Sequence, residues 1–163
     1  VDSLIKFCPI LSGDEFAAAE LLYRTLRSEI APLVSREGAG FFYEYIEPDS
    51  IRGRLESNYS MEIAVLMDKI LGVIEIRDCS HISMLVVDSA CRRRGIAREL
   101  VRTAIVSCRG KKPGLQEITA NALPSSVPVY ERLGFTRTGP EQVKNGMCII
   151  PMTLDISNVK FEI

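Results

Sequence analysis

VVDSACRRRGIARELVRTAIV, residues 86–106, runs from an apolar strand through three arginines and a glycine into an amphipathic helix. Beyond Gly95, the residues Ala97, Leu100, Val101, Ala104, Ile105 and Cys108 share one stripe at helical spacing, with Arg98, Glu99 and Arg102 off it. The pattern predicts a helix over 96–108. Its start carries Arg92, Arg93, Arg94 and Arg98, which is the wrong sign for a helix N-terminus. Each exposed cation there costs about 0.3–1 kcal/mol. An anion seated on the free N–H groups of the first turn reverses that cost, and Gly95 lets it approach with no Cβ in the way. A strand, a basic glycine turn and a helix together have the geometry of a phosphate cradle, the alternative being that Arg93 and Arg94 merely solvate a loop. Neither the GxxxxGK[ST] nor the GxGxxG nucleotide pattern is present.

Upstream of this turn the chain reads as strands. MEIAVLM (61–67), ILGVIEI (70–76) and HISMLVV (81–87) are separated by short polar turns, as in an antiparallel meander. Downstream, strands are expected at 115–121, near 135–138 and at 147–155, with a short helix at 126–133. Toward the start, Leu22, Leu26, Ile30 and Leu33 place a helix over about 13–34, ending where Pro32, Ser35, Gly38 and Gly40 lead into a loop. A further short helix is expected over 49–57. The order predicts an α/β (α+β layered) domain with a mixed, mostly antiparallel sheet. With 163 residues and no linker, one domain over 1–163 is expected.

A net charge of −1 gives no field for general attraction to nucleic acid or an anionic membrane, and neither is expected as a partner. No run of eighteen apolar residues exists to span a bilayer, and the first residues lack a signal-peptide pattern. The five cysteines, Cys8, Cys79, Cys91, Cys108 and Cys148, form no CxxC pair, and only Cys79 lies close to the one histidine, His81. Reduced thiols, a cytoplasmic location and no metal are therefore expected.

Arg92-Arg-Arg-Gly95-Ile-Ala97 resembles the [Q/R]-x-x-G-x-[G/A] signature of the GNAT superfamily of acetyl-CoA-dependent N-acetyltransferases. LVVD (85–88) precedes it, ITAN (118–121) follows, and VPVYERLGF (127–135) supplies the Y-x-x-x-G-F ending common in that family. The resemblance covers about 61–154. It implies a central sheet of about six to seven strands with about four flanking helices, and acetyl-CoA as co-substrate.

Carried over residue by residue, the resemblance places the pantetheine arm on the main chain of Leu85 and Val87. It places the pyrophosphate on the turn Arg92, Arg93, Arg94, Gly95, Ile96, Ala97 and Arg98. Ala97 stands where many members have glycine. Asn121 is expected to touch the coenzyme arm or the turn before the second helix, its alternative being a turn former alone. Tyr130 is expected to touch the coenzyme and to act as general acid for the departing thiolate, because a phenol remains protonated at neutral pH. Its alternative is simple packing with Leu133 and Phe135.

The base that takes the amine's proton is glutamate in some members, eleven positions before the [Q/R] residue. Here that position is His81, whose ordinary pKa near 6.5 suits the task. It shares strand parity with Leu85 and Val87 provided no bulge intervenes. Glu75 and Glu62 are the rival carboxylates. The acceptor is expected at 35–60, where Phe41, Phe42, Tyr43 and Tyr45 mix with Glu44, Glu47 and Asp49. Such a set suits a cationic amine of a small molecule or protein, and equally an aromatic segment packed on the core. A non-catalytic acyl-CoA sensor on the same scaffold is the alternative function. The sequence leaves the oligomeric state open; a homodimer is named only because it is the commonest soluble assembly.

Overall fold

The computed structural model describes residues 4–157. Its strands are β1 (Lys6–Pro9), β2 (Tyr59–Leu66), β3 (Lys69–Arg77), β4 (His81–Val87), β5 (Glu117–Ala122), β6 (Thr136–Arg137), β7 (Gln142–Lys144) and β8 (Met147–Asp155). The helices are α1 (Glu15–Thr25), α2 (Arg36–Tyr45), α3 (Pro48–Leu55), α4 (Ile96–Lys111) and α5 (Val127–Arg132). The strands form one sheet in the order β1-β2-β3-β4-β5-β8-β6, with β7 added to β8. All pairings are antiparallel except β4 with β5. This confirms the mixed, mostly antiparallel layered fold, with eight strands and five α-helices among the described residues.

Helices cover both faces of the sheet. On the first face α4 buries Ile96, Leu100, Val101, Ala104, Ile105 and Cys108, joined by Val127 and Tyr130 of α5, against Ala64, Leu71, Ile74 and Ile82. Full burial of each large aliphatic side chain is worth about 1.5–3 kcal/mol, so this stripe is what seats α4. Gly72 of β3 sets how closely α4 sits, because a Cβ there would lie 3.0 Å from Leu100 Cδ1 and 3.2 Å from Ile96 Cγ2. On the second face α1 and α3 bury Ala18, Leu21, Leu22 and Ile51 against Met61, Ile63 and Val73, with Phe42, Tyr43 and Tyr45 of α2 packed alongside.

Three local readings are corrected. The first helix is α-helical only to Thr25, then widens into a π-helical turn, Leu26–Ile30, and a 3-10 turn, Ala31–Leu33. Residues 36–45, expected as loop, form α2, capped by Ser35 Oγ accepting from Gly38 N at 3.0 Å. The same hydroxyl donates to Gly146 O at 2.6 Å, tying α2 to the β7–β8 turn. Strands β1 and β7 were not anticipated.

Candidate functional site

The arginine turn is built from its acidic end. Asp88 is buried, its main-chain N–H donates to Leu71 O at 2.8 Å, and its carboxylate accepts from Ala90 N at 3.0 Å. Arg24 and Lys69 approach the same carboxylate at 3.2 and 3.7 Å. Burial raises its pKa, but the Ala90 N–H and these two cations outweigh it and hold the carboxyl below the usual range. Arg93 takes φ +59° and Gly95 φ +80°, which turns the chain sharply into α4. Gly95 is the cap residue, no side-chain cap hydrogen bond is made there among the described residues, and its carbonyl accepts from Glu99 N at 3.1 Å. The N–H groups of the first turn point out of the helix end, as in any α-helix, and Arg93, Arg94 and Arg98 nearby in the chain are exposed. Arg92 is held differently. Its Nη2 lies 2.7 Å from Glu29 Oε2 on the π-helical turn, and its Nε donates to Val87 O at 3.2 Å.

Beside this helix end the sheet opens. β4 pairs with β5 only at His81↔Thr119 and Ile82↔Ala120, after which each strand continues without pairing to the other. The opening coincides with a bulge. Ile76 is opposite Ile82 and Glu75 opposite Met84, so Ser83 is the extra residue with no partner on β3. Leu85 and Val87 lie beyond it, on the separated part of β4, opposite Ile74 and Gly72.

The bulge also reverses the parity expected for His81. His81 is opposite Arg77 and Met84 is opposite Glu75, whereas Leu85 and Val87 share the α4 face with Ile82. His81 and the pair Leu85 and Val87 therefore point to opposite faces. His81 is half-buried, and its Nδ1 lies 2.8 Å from Thr119 Oγ1. Burial, then the positive charges of Arg77 and Lys144, lower its pKa, so the ring is neutral at neutral pH.

Tyr130 is buried, its ring edge-on to Phe135 at 5.1 Å between centroids. Burial raises its pKa above the ordinary phenol value. Asn121 is exposed at the end of β5, opposite Pro151. The two rival carboxylates are both inside the protein. Glu75 is fully buried and engaged by Arg54 Nε at 2.9 Å and by the Tyr45 hydroxyl at 2.6 Å. Glu62 faces α4 with Oε2 unpartnered, and burial raises its pKa against the opposing effects of Ser107 and Lys111. Neither presents a free carboxylate to solvent.

The acceptor stretch divides. Phe41 and Tyr45 stack at 5.8 Å, and Phe42, Tyr43 and Tyr45 pack on the second face of the sheet. Glu44 and Glu47 are exposed, while Asp49 pairs with Arg52 at 2.8 Å. Sequence reasoning missed Glu29, Asp88, Arg54 and Ser83. A bulge residue such as Ser83 leaves no mark in hydrophobic alternation. Among the described residues no group of three His, Cys, Asp or Glu side chains is placed to hold a metal ion.

Comparison with known proteins agrees with this geometry. Residues 30–156 match the family model described as an acetyltransferase (GNAT) domain. No curated protein matches the sequence. Among solved structures, a GCN5-related N-acetyltransferase from Rhodopseudomonas palustris superposes with TM-score 0.78 at 20% identity, covering 95% of this chain and 98% of that one. The PaiA N-acetyltransferase of Thermoplasma acidophilum, solved with coenzyme A, gives 0.74 at 15% identity, covering 93% and 98%. Spermidine N-acetyltransferase of Vibrio cholerae, solved with CoA and spermine, gives 0.65 at 16% identity, covering 94% and 96%. The three structures share the fold, and the family takes acetyl-CoA as co-substrate. With the family model spanning the whole region from the π-helical turn to the last strand, the chain belongs to the GNAT family of acetyltransferases.

Proposed function

We propose that the chain is an N-acetyltransferase that moves the acetyl group of acetyl-CoA to an amine by direct attack. The observation that carries this reading is the uncapped N-terminus of α4 behind Gly95, standing beside strands that part after Ile82. An uncapped first turn accepts a pyrophosphate, with Gly95, Ile96, Ala97 and Arg98 supplying N–H groups and Arg93 and Arg94 supplying charge. The gap left between β4 and β5 accepts an extended arm through the main chain of Leu85 and Val87, as one further strand would. Asn121 flanks the gap from β5.

In the reaction the amine nitrogen bonds to the acetyl carbon, charge gathers on the carbonyl oxygen, and the carbon–sulfur bond then breaks. Main-chain N–H groups at the β4 bulge stabilise the oxygen as its charge develops. Tyr130, which burial keeps protonated, gives its proton to the departing thiolate. His81, held neutral, takes the proton from the attacking nitrogen through water. Because the bulge turns His81 away from Leu85 and Val87, it meets the acceptor from the α2 side of the sheet. The acceptor is a small or protein-borne amine, and polyamines head the panel because a spermidine N-acetyltransferase shares the fold.

The test is thiol release from acetyl-CoA across a panel of primary amines, spermidine and lysine peptides. Turnover with at least one amine supports the reading, and coenzyme binding with no turnover makes the chain an acyl-CoA sensor instead. Tyr130→Phe keeps the ring contact with Phe135 and should lower turnover about 100-fold, at the low end of general-acid contributions, with coenzyme affinity held. Equal losses in both quantities remove Tyr130 as the acid.

A further inference from the structure

One chain of buried polar groups lies against the bulge and takes no part in the steps above. Glu75 is fully buried, with Arg54 Nε 2.9 Å from Oε1 and the Tyr45 hydroxyl 2.6 Å from Oε2. The Arg54 guanidinium also lies 3.6 Å from the centroid of the Tyr45 ring, and its Nη1 donates to the carbonyls of Tyr45 and Ser50 at 2.7 and 3.2 Å. A buried ion pair recovers little net stability compared with apolar side chains of the same size. What this pair does achieve is geometric. The guanidinium clamps the ring and the carboxylate clamps the hydroxyl, so the Tyr45 oxygen has one place to be.

That place adjoins the bulge through Glu75, and Ser83, the β4 residue with no partner on β3, is the residue before Met84 in that bulge. The main chain of Glu75 is opposite Met84, the next residue of β4. Burial and the Glu75 charge also keep the Tyr45 hydroxyl protonated, so it remains a donor to that carboxylate.

We propose that Tyr45 is a positioning residue for acyl transfer: through Glu75, which is opposite the β4 bulge, it fixes the shape of that bulge, and so the aim of the bulge's main-chain N–H groups at the acetyl carbonyl oxygen. The inference rests on the reading of β4 as the strand that carries the acetyl arm. Such donors work within a few tenths of an ångström, at about 2.7–3.1 Å from the oxygen they serve. A small change in the bulge is therefore felt at the carbonyl before it is felt in coenzyme affinity, which is set at the far end by the arginine turn.

The experiment is 13C NMR of carbonyl-labelled acetyl-CoA bound to the wild type, Tyr45→Phe, Glu75→Gln and the double variant. On the wild type the carbonyl resonance should move downfield from its free position. Each single variant should lose about half or more of that displacement, and the double variant no more than the worse single, as residues acting through one path are non-additive. Affinity for CoA, measured by calorimetry, should stay within about twofold, since the phosphate contacts are untouched. A role in packing alone would lower the melting temperature of Tyr45→Phe and leave the resonance at its wild-type position. That result, or a wild-type carbonyl that does not move on binding, overturns the inference and leaves the proposed function standing. A wild type that binds no acetyl-CoA overturns both. Should Tyr45→Phe not fold, Glu75→Gln decides between the same outcomes.

Discussion

Glu29 and Arg92 face one another across the mouth of the arginine turn, Oε2 to Nη2 at 2.7 Å. The carboxylate comes from a π-helical turn, a distortion of the helix that occurs often at functional sites. It holds an arginine that also donates to the end of β4, at Val87 O. Arg92 is thus paired with a protein anion.

Removing that competitor should free Arg92 for the coenzyme. Partly exposed ion pairs are worth about 0.2–1 kcal/mol, so Glu29→Gln should tighten acetyl-CoA binding by about 1.5- to 5-fold. Calorimetry at low salt reads the change. Weaker binding would mean that Glu29 helps to build the cradle and does not compete with it.

Gly95→Ala strains a φ of +80° and adds a methyl group where the phosphates would approach. The strain alone costs about 1–2 kcal/mol. For a chain of this size that lowers the melting temperature by about 2–8 °C, at 2–4 °C per kcal/mol. Coenzyme affinity should fall in addition, and thermal melts run with and without acetyl-CoA separate the two effects. A stabilising shift by the coenzyme as large as that of the wild type would place the phosphates elsewhere.

His81 has a pKa below its ordinary value, so the folded chain binds this proton less readily than the unfolded one. Its contribution to stability is complete above about pH 6.5 and is lost as pH falls through the lowered folded value. The same protonation removes the proposed base. The acid limb of kcat/KM should therefore lie below pH 6.5, and His81→Gln should lower the plateau and flatten the limb. An unchanged profile in His81→Gln would dismiss the base role and leave the structural contact with Thr119.

Glu62 has the opposite sign. Its pKa is raised, so its contribution is present in acid and is lost as pH rises through the folded value. Glu62→Gln should match the wild type near pH 4 and melt higher than it at pH 8. A variant less stable at both values would show that the buried carboxylate has a partner of net benefit.

Much of this was legible in the chain, and the rest failed for physical reasons. Strands β2, β3 and β4 announced themselves because each sets apolar residues between short polar turns. The stripe from Ala97 to Cys108 located α4, and Gly95 after three arginines located the cradle. Helix α2 was hidden because Gly38 and Gly40, poor helix formers, sit inside it, while its cap comes from Ser35 and its support from Met147 and the distant Gly146 turn. Strand β7 did have a signal, the Asn145-Gly146 pair, whose φ values of +49° and +70° suit a tight hairpin turn. The bulge at Ser83 had none. It reversed His81 relative to Leu85 and Val87, a change that strand alternation cannot foresee because it exists only in the register with β3.

The central claim is that the first turn of α4 and the separated part of β4 grip acetyl-CoA. A titration of the 15N-labelled chain with acetyl-CoA, followed by backbone amide NMR, tests it residue by residue. The largest shifts should fall on the amides of Gly95 to Arg98 and of Met84 to Val87, saturating together with one affinity. Shifts concentrated in the cleft of about 290 Å³ lined by Phe16, Tyr23, Arg24 and Glu47, with the Gly95 amide unmoved, would contradict it.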